Sequence, residues 1–531
     1  MGVCCSKPLA VVYKMGALTI RNLTITPLEL KAVERLEPAP PSFSSPPHGT
    51  PSGLAKITAR LTGRGGGAAH YPLPIGQPHR GNGHAILPGA FPGDDESGVD
   101  LVEQQPPPAP PPAARKVHEL NGVLIQPFSE LSLPDDITPP DVSRSEQLRM
   151  TFSEPGSSDQ YIADVPSSSP PRSIVMKSPS SDKEFTLIYI PSHAFLSIFS
   201  STHLSSWMSE LFPALPLSAL SIPGTHNSPT RFVALPSVRC QAVSVGAQLD
   251  NGVRFLDVRV SCPSSSNSEW AAAGGAPDLA LVHSAFPISL SGTKYFHDLL
   301  TEVYAFLADH PSETVLVSIK REGTGRGTDQ QLSKHLASRY CVPAERWWTE
   351  PRIPTLGEAR GRMVLVRRFH VDESLAGKGF GIDGSVWPDN CADGTCGSGM
   401  IRIQDYYDLG QAEEIAKKIT FAQSGLEKAA QPDSTAAEAS PGVPAPLYIN
   451  FLSASNFFNA SCWPEKIAAK LNPAIIEYLC MGHGAPGKGP GQLTIGDAAT
   501  GIVVTDWVGN KGDWDLIRCI VGWNARLQLK Q

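Results

Sequence analysis

From residue 216 onward the chain repeats one pattern, a short apolar run followed by a longer stretch that is either helical in its spacing or irregular. Runs of this length are strand-sized, and strands that alternate with helical segments call for a parallel sheet joined by crossovers. Eight can be counted, at 217–222, 253–260, 279–283, 314–320, 363–369, 401–406, 447–451 and 502–507. After the third, Phe296, Leu299, Leu300, Val303, Phe306 and Leu307 fall on one stripe at helical spacing, and 412–430 and 464–481 also read as helices. The connections after the second and fifth runs are too irregular for a neat helix. The pattern predicts an α/β fold, an irregular TIM-type (β/α)8 barrel over 214–531, with the Ala/Pro/Ser-rich stretch 429–446 as a surface loop inside it.

The preceding part reads differently. Val-, Ile-, Leu- and Phe-rich stretches at 17–35, 116–133, 147–165 and 185–200, punctuated by Pro, Asp and Ser, predict a small antiparallel β domain over 14–200. Residues 38–113 interrupt it. They are rich in Pro, Gly, Ser and Ala, include the run from Pro106 to Pro112, and lack any strand or helix period, so a disordered insertion is expected.

Composition excludes several classes. A formal charge of −7 and the absence of a basic cluster argue against a nucleic-acid protein. No apolar run reaches the ~18–20 residues that span a bilayer, and the first residues do not read as a secretory signal. The ten cysteines form no CxxC pairs, so neither a zinc site nor a disulfide framework is indicated, and a reducing intracellular setting is the simplest expectation. Residues 1–13 read as an acylated tail. Gly2, followed by Ser6, fits N-myristoylation, and Cys4 and Cys5 stand where palmitoylation would supply the second chain that stable anchoring needs. The expected location is therefore cytoplasmic, peripheral on the inner face of a membrane.

Almost every barrel run ends on residues able to do polar chemistry. The first leads into Pro223-Gly224-Thr225-His226-Asn227. The others bring Asp257 and Arg259, His283, Lys320, Arg367 and Arg368, Asp405 and Tyr407, and Asp506. In a barrel the carboxyl ends of all strands face one mouth, so residues far apart in sequence would converge there. Any one of these histidines or arginines could instead be a core or capping residue satisfied by its backbone surroundings.

At these residues the chain resembles the X-domain of bacterial-type phosphatidylinositol-specific phospholipases C, within the PLC-like phosphodiesterase superfamily. The likeness covers most of 216–530 and none of the first 200 residues. It implies His/His acid–base cleavage of phosphatidylinositol to diacylglycerol and inositol 1,2-cyclic phosphate. Histidine suits both roles because its ordinary pKa lies near ~6.5. By resemblance the catalytic set is His226 as base, Asp506 as its orienter, His283 as acid, Arg259 on the phosphate and Asp257 as their support. Lys320, Arg368 and Asp405 would bind inositol hydroxyls, with Tyr407 stacked on the ring.

Asn227 is grouped with the substrate-binding positions. The bacterial enzymes carry aspartate there, whereas calcium-dependent animal relatives carry asparagine. Arg259, a permanent charge where those relatives place calcium ligands, nevertheless implies catalysis without metal or other cofactor. The implied partner is membrane phosphatidylinositol, with no nucleic acid. Two other functions fit the same fold: a catalytically weak inositide-binding or scaffold module, and a phosphodiesterase acting on another phospholipid.

Overall fold

Short Val/Ile/Leu-rich segments become strands here because both faces of each can be covered, one by helices and one by the opposite wall of a curled sheet. The structure is a computed structural model that describes residues 17–37, 113–167, 171–201, 203–263, 278–431, 445–485 and 499–529. The acylation candidates Gly2, Cys4 and Cys5, and the insertion through residue 112, lie outside the described residues.

The C-terminal part is mixed α/β. Its parallel strands follow the order Met363–Arg368, Val315–Arg321, Phe255–Ser261, Ile222–Thr225, Ile502–Thr505, Leu447–Phe451 and Ile401–Gln404. Helices Phe296–Asp309, Ile415–Ala430, Pro464–Met481 and Asp515–Gly522 accompany this sheet. The six apolar residues of the expected stripe, from Phe296 to Leu307, are all buried on the first of these. Pro464 opens its helix at the first turn, where a missing N–H costs nothing.

Three features differ from the eight-stave barrel expected. The run 217–222 is not a strand. Leu217–Ala219 forms a 3-10 turn whose Leu217 N–H bonds to the Pro354 carbonyl, and the strand begins only at Ile222. Leu217 and Leu220 are buried all the same, so apolar character reported burial rather than strand. Next, Ala280–His283 pairs antiparallel with Phe255–Ser261, while Val315–Arg321 takes the parallel place beside that strand. An antiparallel return needs no crossover helix. Finally, Ile382–Asp383 pairs with Met363–Arg368, but among the described residues no ladder joins it to Ile401–Gln404. The sheet is therefore curled, with a seam.

Two further sheets precede it. One has the order Ser129–Ser132, Thr19–Asn22, Phe195–Ser201, Ser181–Ile190, Ser173–Ser178; the other, wholly antiparallel, is Ala113–Ile125, Leu28–Glu37, Gln147–Ser153, Tyr161–Val165. Their apolar faces share one core around Leu30, Phe152, Leu187 and Ile198. Thr19–Asn22 runs parallel to Phe195–Ser201, which departs from the all-antiparallel expectation. Strands so far apart in sequence are not bound to hairpin geometry. The other side of the first sheet presents Ile188, Ile190 and Phe199 to the helices Ile415–Ala430, Pro464–Met481 and Asp515–Gly522, forming a second continuous core.

Candidate active site

Register decides what meets at the sheet's carboxyl edge. Thr225 pairs with Thr505, so the residues that follow, His226 and Asp506, emerge side by side. The His226 N–H donates to the Thr505 carbonyl at 2.9 Å, and its Nδ1 lies 3.0 Å from Asp506 Oδ1. Gln241 Nε2 clamps this corner, donating to the carbonyls of His226 (2.7 Å) and Thr505 (2.9 Å). Burial pushes the Asp506 carboxyl up, against the pull of His226. With Nδ1 engaged, the ring is left with Nε2 for chemistry.

His283 ends the antiparallel return, in a turn where Ser284 adopts φ 54°. Its Nδ1–H donates to the Val238 carbonyl at 2.9 Å, which again leaves Nε2 free. The two imidazoles meet edge to face, with centroids 5.4 Å apart. Burial, the Arg259 charge and His226 together press His283 down to about 3.

Register also lines up the cations. Arg259 pairs with Lys320 and Lys320 with Arg368, so three positive side chains stand in one row across three strands. Carboxylates hold that row. Arg259 Nε donates to Asp257 Oδ2 at 3.1 Å and its Nη1 to Glu322 Oε1 at 3.1 Å. Lys320 Nζ lies 2.8 Å from the same Glu322 oxygen, and Glu322 Oε2 accepts the Ser284 N–H at 2.8 Å. Burial opposes these charges, yet Asp257 and Glu322 hold Arg259 above the usual guanidinium range, while Arg259 and Lys320 bring Glu322 down to about 2. The Arg368 guanidinium carbon lies over Trp387, 3.8 Å from the ring centroid, and Trp387 Nε1 donates to Asp405 Oδ2 at 3.0 Å.

These groups line one cavity of about 170 Å³: His226, Arg259, His283, Ser284, Lys320, Glu322, Arg368, Asp389, Asp405, Tyr407 and the segment Ser453–Ser455. Tyr407 stands at the edge, its hydroxyl donating to Asp389 at 2.8 Å. Asp257 and Asp506 lie just behind the wall, fully or almost fully buried.

Residues 214–369 match the family model described as "Phosphatidylinositol-specific phospholipase C, X domain". The likeness to that family spans under a third of the chain. Over a longer alignment of 343 residues the chain is 25% identical to the 1-phosphatidylinositol phosphodiesterase of Staphylococcus aureus (strain Newman), covering 60% of this chain and 93% of that one. The Listeria monocytogenes enzyme of the same name is 25% identical over 297 residues, 53% of this chain and 77% of its own. Human PI-PLC X domain-containing protein 1 is 27% identical over 219 residues, 34% of this chain and 62% of that one. Among solved structures, a phosphatidylinositol-specific phospholipase C from Listeria monocytogenes covers 61% of this chain at 19% identity, with a TM-score of 0.43.

The X-domain match contains His226, Asp257, Arg259, His283, Lys320 and Arg368, whereas Asp405, Tyr407 and Asp506 come from the strands after it. Of the residues expected to bind substrate, Asn227 does not line the cavity. Asn227 is fully buried at φ 38°, its N–H on Asp257 Oδ2 (3.1 Å) and its side-chain amide on the Val282 carbonyl (3.2 Å). It braces the two histidine-bearing segments from within the wall. Sequence reasoning missed Glu322 and Gln241. Glu322 stands two positions after Lys320, as Arg259 does after Asp257, and same-face alternation along the strand would have found it. Gln241 carried no such signal.

Proposed function

We propose that this chain is a phosphatidylinositol-specific phospholipase C that releases diacylglycerol and inositol 1,2-cyclic phosphate without a metal. One observation carries the reading: two imidazoles 5.4 Å apart, each with Nδ1 already engaged, open onto one cavity beside an arginine kept charged. His226 Nε2 removes the proton of the inositol 2-hydroxyl, and that oxygen attacks phosphorus. The bond from phosphorus to the glycerol oxygen breaks, and His283 Nε2 delivers the proton to the departing alkoxide. Asp506 stabilises the imidazolium that forms on His226. The Arg259 fork offers its charge to the phosphate oxygens where negative charge builds up. Arg368 and Asp405, fixed by Trp387, and the more exposed Lys320 are donors and acceptors suited to inositol hydroxyls.

A lipid substrate must be reached at a surface. The segment that lines the cavity at Ser453–Ser455 continues into Phe457 and Phe458, the latter 95% exposed, and Phe457 stacks on Phe286, three residues after His283. Bare aromatic rings at the mouth suit contact with a bilayer. Acylation at Gly2, Cys4 and Cys5 belongs to this proposal, with peripheral attachment to the inner leaflet. Changing Gly2→Ala should move the protein to the soluble fraction of cells, and full retention on membranes would remove the anchor.

Phosphorus NMR of the protein with phosphatidylinositol vesicles in excess chelator tests the reaction. A cyclic phosphodiester signal that disappears in a His283→Ala variant is expected. Cleavage that returns only with calcium would make Asn227 the better guide to metal use than Arg259. Absence of cleavage in both conditions would favour the inositide-binding module.

A further inference from the structure

The two histidines have a third neighbour that the proposed reaction does not use. The loop after His226 doubles back, and Cys240 is anchored there by its N–H on Thr230 Oγ1 (3.1 Å) and by its carbonyl, which accepts the Trp507 N–H (2.9 Å). Its fully buried thiol lies 3.6 Å from His283 Nδ1. One donor atom from each of His226, Cys240 and His283 lies within 4.8 Å of the other two.

Two imidazoles and a thiol are the donor set of a soft, tetrahedral cation. Zinc–sulfur and zinc–nitrogen bonds of ~2.3 and ~2.0–2.1 Å at a tetrahedral angle put the two donor atoms about 3.5 Å apart. The Cys240–His283 separation of 3.6 Å already matches that span. The third donor needs only a modest ring movement, because His226 and His283 both border the open cavity. A supporting outer bond is in place as well. A metal-ligating histidine characteristically gives its other N–H to a carboxylate, as His226 Nδ1 does to Asp506. The nearby arginine charge is no bar, since Arg259 is matched by both Asp257 and Glu322.

We infer that His226, Cys240 and His283 form a binding site for a thiophilic divalent cation such as Zn²⁺, which shuts the active site by occupying the acid–base pair. On binding, the Cys240 thiol loses its proton to solvent, and the resulting thiolate bonds to the metal. His283 bonds through Nδ1, gives up the Val238 carbonyl, and carries its proton on Nε2 instead, the exchange passing through water. His226 contributes Nε2. Water or a substrate phosphate oxygen takes the fourth position. Among the described residues no three carboxylates are gathered closely enough to offer a hard ion such as Ca²⁺ a comparable donor set. The inhibitory consequence rests on the phospholipase reading; the metal site itself does not.

Cobalt titration of the full chain, stripped with chelator, tests the site directly. Co²⁺ should produce a thiolate-to-cobalt charge-transfer band together with the intense visible bands of a tetrahedral ion. Cys240→Ala should abolish the charge-transfer band, and Asp506→Asn, which keeps every ligand, should weaken Co²⁺ binding about 10–100-fold. In parallel, Zn²⁺ should inhibit phosphatidylinositol cleavage, chelator should reverse it, and Cys240→Ser should raise the inhibitory concentration at least about tenfold. A charge-transfer band that survives in Cys240→Ala places the metal on another thiol and overturns the site, as does the absence of any band in the parent. If the parent binds cobalt as described but cleaves no lipid under any condition, the site stands and the phospholipase reading fails.

Discussion

The Nε2 atom of His283 can protonate a leaving oxygen only if it holds a proton, and burial, Arg259 and His226 together keep that ring neutral near pH 7. An arriving phosphate alters the balance. Its negative charge offsets Arg259 and favours the imidazolium, so substrate binding and protonation of His283 should be coupled. Titration calorimetry of a non-cleavable phosphonate analogue, in chelator and in two buffers of different ionisation enthalpy at pH 7, should show uptake of up to about one proton. Binding without proton exchange would exclude His283 as an acid charged in this way. Arg259 makes a second case. Lysine cannot reproduce a fork held between Asp257 and Glu322, and Arg259→Lys should lower kcat about 100–1000-fold in the phosphorus NMR assay while the protein stays folded. At this scale the sequence was informative where identity carries the chemistry. His226, His283, Arg259 and Asp506 could be named because they match the resembled family's motifs together and in order at strand ends; each alone could equally have been a core or capping residue. The Val238 carbonyl that fixes the His283 tautomer could not be named, because every residue has a carbonyl and only the path of the loop selects this one.

The helix Ile415–Ala430 does more than cover the sheet. It sends Lys418, fully buried, to Gln404 Oε1 at 3.0 Å on the strand that ends at Asp405. Burial brings that ammonium down to about 7. An unfolded lysine titrates near ~10.4, so between those two values the folded chain binds fewer protons than the unfolded one. Stability from this residue should therefore rise as pH increases from about 7 to about 10. Lys418→Met should remove that slope and raise stability at pH 6 by about 1–3 kcal/mol, read from urea midpoints at pH 6 and pH 9. Gln404 Oε1 would keep the Tyr406 N–H as a donor at 2.9 Å. Elements were legible where they are long and periodic, as with the Phe296–Asp309 stripe and the helix opened by Pro464. They were only partly legible where the apolar run is short. Ala280–His283 reads the same in either direction, and Leu217–Ala219 is apolar because it is covered.

Across the whole molecule, the apolar patterns of both parts announced burial without saying against what. Part of the answer is each other. Ile188, Ile190 and Phe199 from the first sheet pack with the helices Pro464–Met481 and Asp515–Gly522, and Arg21, fully buried, donates to the carbonyls of Cys480 at 3.0 Å and His483 at 2.9 Å. Arg21→Ala would leave the Cys480 carbonyl with the Ser197 hydroxyl at 3.0 Å but take a buried donor from it and from the His483 carbonyl, and should cost about 2–3 kcal/mol, measured by thermal or urea unfolding of the full chain. Heating should give one transition rather than two. That joint core makes the sheets a bystander that nevertheless reports on the active site. A ligand that occupies only the cavity stabilises whatever unfolds along with it, by about 2.7 kcal/mol at a hundred times its Kd. Amide hydrogens of Ser181–Ile190 that open only through global unfolding would then exchange with deuterium about a hundredfold more slowly when the mouth is filled, although none of them touches the guest.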